Sequence, residues 1–183
     1  MRGVALLRRA AESFYTRFMA SARENQTLEA GQRAPDFRLD DLNGGQRTLS
    51  ELLAEAPVFL AFFKVSCPTC QFTLPFLERI YRGLAGGAAR MFAVSQDDAE
   101  ATREFHHEFG ITMPTLLDSA RYGYPASNAY LLSHVPSMFL IERDGTISWS
   151  LIGFHKKELE ALGSRLGVQP FRPGERVPEM KSG

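Results

Sequence analysis

Six consecutive apolar residues, Val58-Phe59-Leu60-Ala61-Phe62-Phe63, run almost directly into Cys67-Pro68-Thr69-Cys70. The run has strand length, and a strand without polar alternation must be covered on both faces. Helices on either side of a sheet supply that cover. It is the longest uninterrupted apolar run in the chain. A membrane-spanning helix needs about 20 such residues, so none is expected.

The flanking patterns fit a layered α/β chain. Pro35 to Leu39 alternates and reads as a short strand, and Asn43-Gly44-Gly45 reads as a turn. Thr48-x-x-Glu51 has the form of a capping box opening a short helix through Leu53. Phe72, Phe76, Leu77, Ile80, Tyr81 and Leu84 trace a helix ending near Gly86-Gly87. Met91 to Ser95 reads as a second buried strand. Asp97-x-x-Glu100 opens a helix that Gly110 caps. A short strand is expected at 115–118, a short helix near 125–131 and a strand at Ser137 to Glu142. Asp144-Gly145 reads as a two-residue hairpin turn, after which Thr146 to Ile152 returns antiparallel. Leu159, Leu162 and Leu166 mark the last helix. Strands alternating with helices and closing in a hairpin predict a mixed central sheet flanked by helices.

Three segments are expected: 1–30, 31–167 and 168–183. In the first, Leu7, Ala11, Phe14, Phe18 and Ala22 share one helical face, and residues 1–25 carry five Arg against two Glu. The stripe is short and mixed with Ala. It is expected to pack on its own domain, on a second subunit in a dimer, or on a partner protein, in preference to a membrane surface. Val4 to Leu7 is too short for the core of a secretory signal, so a cytoplasmic setting is expected. Residues 168–183 hold three Pro and little apolar surface and read as a tail. Lys plus Arg and Asp plus Glu both number 21, so no basic field points to nucleic acid. No Gly-rich phosphate loop is present, and a nucleotide site is not expected.

The chain has two cysteines, too few for a disulfide scaffold or a four-ligand zinc site. His106-His107 are adjacent, point to different sides of a helix and make a poor metal pair, so no metal is expected. Placed where a buried strand enters a helix, Cys67 meets unpaired backbone N–H groups and the positive end of the helix dipole, which favour thiolate. Cys70 lies one turn further on, close enough to close a small disulfide ring. Pro68 suits the first turn, where its missing N–H costs nothing. Lys64 could favour the thiolate by charge, although a solvated strand-end lysine is the plainer reading. His134, just before Val135-Pro136, could act as a tuning group.

The segment from Phe62 through Cys67-Pro68-Thr69-Cys70, with Pro75 five residues on, resembles the active-site segment of the thioredoxin superfamily. Val135-Pro136-Ser137-Met138-Phe139-Leu140-Ile141 resembles the strand that opens with a cis-proline facing the disulfide. Gly31-x-x-Ala34-Pro35-Asp36-Phe37, and the extra strand and helix between Met91 and Asp118, resemble TlpA-like and redoxin-type (AhpC/TSA-related) members. The resemblance spans about residues 31–167 and implies a thioredoxin-like fold with a strand–helix insertion and an added N-terminal helix. Three positions depart from it. Ser66 replaces the usual Trp, Ala61 the buried Asp of thioredoxins, and Thr73 a Glu common in TlpA-like members.

The resemblance implies a thiol–disulfide oxidoreductase with no further cofactor, in which Cys67 attacks and Cys70 resolves. Pro68 and Thr69 would tune the pair, and the backbone of Val135 and Pro136 would bind substrate. Its partners would be a disulfide-containing protein and a thiol electron donor. One alternative is a peroxiredoxin-like peroxidase. That family's Pro-x-x-x-Thr-x-x-Cys pattern fits neither cysteine, because Lys64 and Cys67 occupy the Thr positions. The other is a thioredoxin-fold binding domain without catalysis, which the missing carboxylates favour and the retained Cys pair opposes.

Overall fold

The computed structural model describes residues 26–84 and 88–183. The amphipathic stripe of residues 1–25 and the expected helix end at Gly86-Gly87 lie outside them. The chain order is β1 (Arg38–Asp41), β2 (Gln46–Thr48), α1 (Leu49–Glu55), β3 (Val58–Phe63), α2 (Pro68–Gly83), β4 (Arg90–Ser95), α3 (Ala99–Phe109) and β5 (Thr115–Leu117). A single 3₁₀ turn (Ala120–Tyr122) follows, then α4 (Pro125–Ala129), β6 (Ser137–Ile141), β7 (Ile147–Ile152), β8 (Phe154–His155), α5 (Lys156–Leu166) and β9 (Met180–Lys181).

Seven strands form one sheet in the order β2-β1-β5-β4-β3-β6-β7. β3 runs parallel to β4, and β4 to β5, while β6 lies antiparallel to β3 on its other side. This is the mixed α/β sheet expected from the sequence. All six β3 residues are fully buried. Because strand side chains alternate, Phe59, Ala61 and Phe63 join the core that contains α2. Val58, Leu60 and Phe62 join the opposite core with Tyr130 and Phe139. Removing a Phe side chain from water contributes roughly 1.5–3 kcal/mol, so β3 anchors both layers.

The capping box of α1 is present: Thr48 Oγ1 accepts the Glu51 N–H at 3.2 Å, and Glu51 accepts the Thr48 N–H at 3.0 Å. Four local expectations are corrected. The first strand begins at Arg38, with Phe37 turned into the core just ahead of it. Helix α3 is capped by Asp98, whose carboxylate accepts the Ala101 N–H at 2.9 Å; Asp97 is committed elsewhere. The β6–β7 connection has three loop residues. Glu142 pairs with Thr146, and only Gly145 of the loop takes positive φ (85°), whereas a two-residue type I′ turn needs it at both central positions.

The fourth correction concerns residues 168–183, which are docked on the body of the molecule. Val168, Phe171 and Val177 pack on the α2 core, and the Phe171 ring lies 5.0 Å from that of Phe76. Arg79 on α2 grips Glu175 through two hydrogen bonds of 2.7 and 2.9 Å. The Arg79 guanidinium, with help from the Arg172 N–H, holds the Glu175 carboxyl down to about 2. β9 then pairs antiparallel with β8. The segment looked polar because its few apolar residues are spaced without period, and periodicity is what sequence patterning detects.

Glu78 is buried inside α2. It accepts the N–H groups of Thr112 and Met113 at 2.9 and 3.0 Å and the Thr112 hydroxyl at 2.5 Å, and it pairs with Arg82 at 2.6 Å. This links the active-site helix to the loop before β5. Glu78→Ala leaves two N–H groups unpaired and should lower stability by about 3 kcal/mol. Urea denaturation checks it, and a loss under about 0.5 kcal/mol would mean the link carries no weight.

Candidate active site

Where β3 ends, the chain makes one tight turn, with the Cys67 N–H donating to the Lys64 carbonyl at 3.1 Å, and then enters α2. Cys67 is the N-cap residue of α2, in extended conformation, and Pro68 is the first helical residue. The turn is held from two sides. The Val65 N–H donates to Asp97 Oδ2 at 2.7 Å, and the Gln71 side chain donates to the Val65 carbonyl at 2.9 Å. Asp97 is the contribution that sequence reading assigned to a helix cap. Only the parallel pairing of β3 and β4, which brings residue 97 beside residue 65, reveals it.

Both cysteines are free. The Cys67 sulfur accepts the Cys70 N–H at 3.2 Å, and its thiol donates to the Val135 carbonyl at 3.4 Å. Negative charge on this sulfur would be met by a donated N–H and by the positive end of the helix. Cys67 is partly exposed and Cys70 fully buried. Burial pushes the Cys70 thiol far up, and the neighbouring Cys67 sulfur and the charge of Asp97 add to the effect. At neutral pH Cys70 is therefore a protonated thiol.

The Val135-Pro136 bond is cis, as the resemblance implies, and the contact from Cys67 places Val135 at the site. Pro136 is buried, and β6 begins immediately after it. Lys64 is exposed at the strand end. His134 is exposed and its Nδ1 pairs with the Ser133 hydroxyl at 3.0 Å. Pro68 is exposed, while Thr69 is buried and its hydroxyl donates to the Ser182 carbonyl at 2.6 Å. That last contact was invisible in the sequence, since 113 residues separate the partners. His106 bonds the Thr115 hydroxyl at 3.0 Å, a satisfied histidine away from the thiols.

The two departures from the carboxylate pattern have structural counterparts. Ala61 sits in β3 between Ala93 and Met138, fully enclosed by apolar groups. Thr73 is fully buried and spends its hydroxyl on the Thr69 carbonyl at 2.6 Å. Neither position offers a group that exchanges protons at neutral pH.

A dithiol at the start of a helix, facing a cis-proline strand of a mixed sheet, defines a protein of the thioredoxin-like class. Within that class the profile of the AhpC/TSA family matches residues 30–150, and the chain belongs to that family. The thiol-disulfide oxidoreductase ResA of Geobacillus thermodenitrificans is 30% identical over 159 residues, covering 86% of this chain and 89% of its own. ResA of Bacillus anthracis is 26% identical over 145 residues, with 79% and 82% covered. Among solved structures, the thioredoxin domain of a thiol-disulfide oxidoreductase from Bacteroides vulgatus superposes with a TM-score of 0.66. That match is at 19% identity and covers 75% of this chain and 97% of that domain.

The burial of Cys70, which also suppresses its ionisation, and the partial exposure of Cys67 predict selective alkylation. Limiting iodoacetamide at neutral pH should modify Cys67 at least about tenfold faster than Cys70. Peptide mass mapping of the reduced protein reads the ratio, and equal labelling would contradict the assignment.

Proposed function

We propose that the chain is a thiol–disulfide oxidoreductase acting on disulfide-containing proteins, with Cys67 as the attacking thiol and Cys70 as the resolving one. The observation that carries this reading is the unequal pair: a partly exposed sulfur at the helix start, and a buried thiol one turn along the same helix. Cys67 thiolate attacks one sulfur of a substrate disulfide. The substrate S–S bond breaks, a Cys67–substrate bond forms, and the departing sulfur takes a proton from solvent. Cys70 then loses its proton and attacks the Cys67 sulfur. The mixed disulfide breaks, the Cys67–Cys70 disulfide forms, and the substrate leaves reduced. Two electrons pass from the dithiol to the substrate, and an external thiol donor restores the dithiol.

The suppressed ionisation of buried Cys70 suits this order, since a thiol that stays protonated cannot compete for the first attack. With Ala61 and Thr73 in place of carboxylates, the proton from Cys70 passes to water. Val135 would present its backbone to an extended substrate chain, pairing with it as an added strand. The name of the ResA relatives supports the reaction class. Reduction would be the favoured direction in a reducing compartment.

The test is insulin disulfide reduction. The wild type should precipitate insulin in the presence of a thiol donor, and Cys67→Ser should lose at least about 100-fold in rate. Cys70→Ser should accumulate a mixed disulfide on residue 67, read by non-reducing electrophoresis and mass mapping. Adducts confined to residue 70 in Cys67→Ser would reverse the roles. Consumption of peroxide without insulin reduction would favour the peroxidase alternative.

A further inference from the structure

After α5, residues 168–183 run back along α2 towards its N-terminus and reach Thr69 and Val135 beside the dithiol. Phe171, Val177 and the Arg79–Glu175 clamp fasten the first part firmly. The last part is held by the two-residue pairing of β9 with β8, by the Lys156 N–H donating to the Glu179 carbonyl at 2.9 Å, and by the Thr69 hydroxyl donating to the Ser182 carbonyl. The Lys181 ammonium lies 4.7 Å from the centre of the Phe72 ring. Met180, Ser182 and Gly183 are exposed.

This end occupies a particular place. The Ser182 carbonyl accepts the hydroxyl of Thr69, the residue between the two active-site positions Pro68 and Cys70. A Cβ on Gly183 would fall 2.8 Å from the Val135 carbonyl oxygen and 3.3 Å from the His134 Cβ. That oxygen is the one the Cys67 thiol contacts. Gly153 completes the fit: it has φ of 76°, and a Cβ there would meet the Lys181 carbonyl at 2.8 Å. The backbone of residues 181–183 is therefore threaded through a passage that only glycine leaves open. An extended substrate chain pairing at Val135 would need the same space.

We propose that residues 180–183 form a strap that sets substrate specificity, lying over the strand-pairing side of the dithiol so that an extended protein substrate must displace it. A small disulfide reaches the partly exposed Cys67 with the strap in place. The inference rests on the oxidoreductase reading and adds the gate to it. The design follows from the fastening: the clamp at Glu175 keeps the segment tethered, while residues 180–183 have only the β9–β8 pairing, the Thr69 bond and the Lys181–Phe72 contact to release. Because only the open state accepts a protein substrate, the apparent affinity is reduced in proportion to the fraction of molecules in that state.

The test compares the full chain, a chain lacking residues 180–183, and Gly183→Ala, whose methyl collides with the Val135 carbonyl and unseats the strap without shortening it. Each is assayed with insulin and with hydroxyethyl disulfide. Removing the strap should raise insulin reduction about fivefold or more while changing the small-disulfide rate less than about twofold. Gly183→Ala should move in the same direction by a smaller factor, and it carries the test if the shortened chain folds poorly. Equal insulin rates for the full chain and the folded variants would overturn the strap and leave the oxidoreductase reading standing. Inactivity of every chain towards hydroxyethyl disulfide would overturn that reading and the strap with it.

Discussion

Burial of β3 on both faces is the constraint on which the rest of the molecule depends. Its six side chains belong alternately to two cores, so neither layer can shift without disturbing the other. The strand pairs along its whole length with β4 and over five residues with β6. The antiparallel register sets Ser137, at the start of β6, opposite Phe62 near the end of β3. The start of β6 therefore meets the turn that carries Cys67. Proximity of Cys67 to Val135 follows from strand register, with no need for a dedicated contact to pull the two together.

The chemistry separates two identical side chains by three residues of helix. At the N-cap, a sulfur accepts a first-turn N–H and lies near solvent. One turn in, the other is enclosed by the α2 core. Burial stabilises the neutral thiol over its anion, and the Asp97 charge acts in the same sense. Asp97 also holds the turn through Val65. One carboxylate thus fixes the geometry before Cys67 and biases the ionisation of Cys70, in a site where both carboxylate positions of the wider family hold apolar or hydroxyl side chains.

The segment proposed to gate the pair is far away in sequence, its Ser182 carbonyl lying against Thr69. Residues 168–177 are linked to α2 through Arg79 and Phe76, and Ser182 is linked to Thr69 beside the thiols by a single hydrogen bond. In the proposed strap, the end of the segment moves while its root stays packed, since local opening costs only the contacts that are broken.

By itself the sequence determined the elements whose signal is local. The unbroken apolar run made β3, the Thr48–Glu51 spacing made the cap of α1, and Cys-Pro-Thr-Cys after a strand placed the dithiol at a helix start. Gly110 marked the end of α3 for the same reason. Pro136 was placed by family resemblance, which carries information that patterning does not. Tertiary structure decided everything that depends on strand neighbours and on chain return. It moved the cap of α3 from Asp97 to Asp98 and freed Asp97 to serve the cysteine turn. It buried Glu78 as a bridge to Thr112 and Met113, and it brought Ser182 and Gly183 against Thr69 and Val135. Caps, turns and periodic faces are short-range and readable in sequence. Hydrogen bonds between residues 32, 34 or 113 positions apart have no local signature, because they exist only once the sheet has set its register.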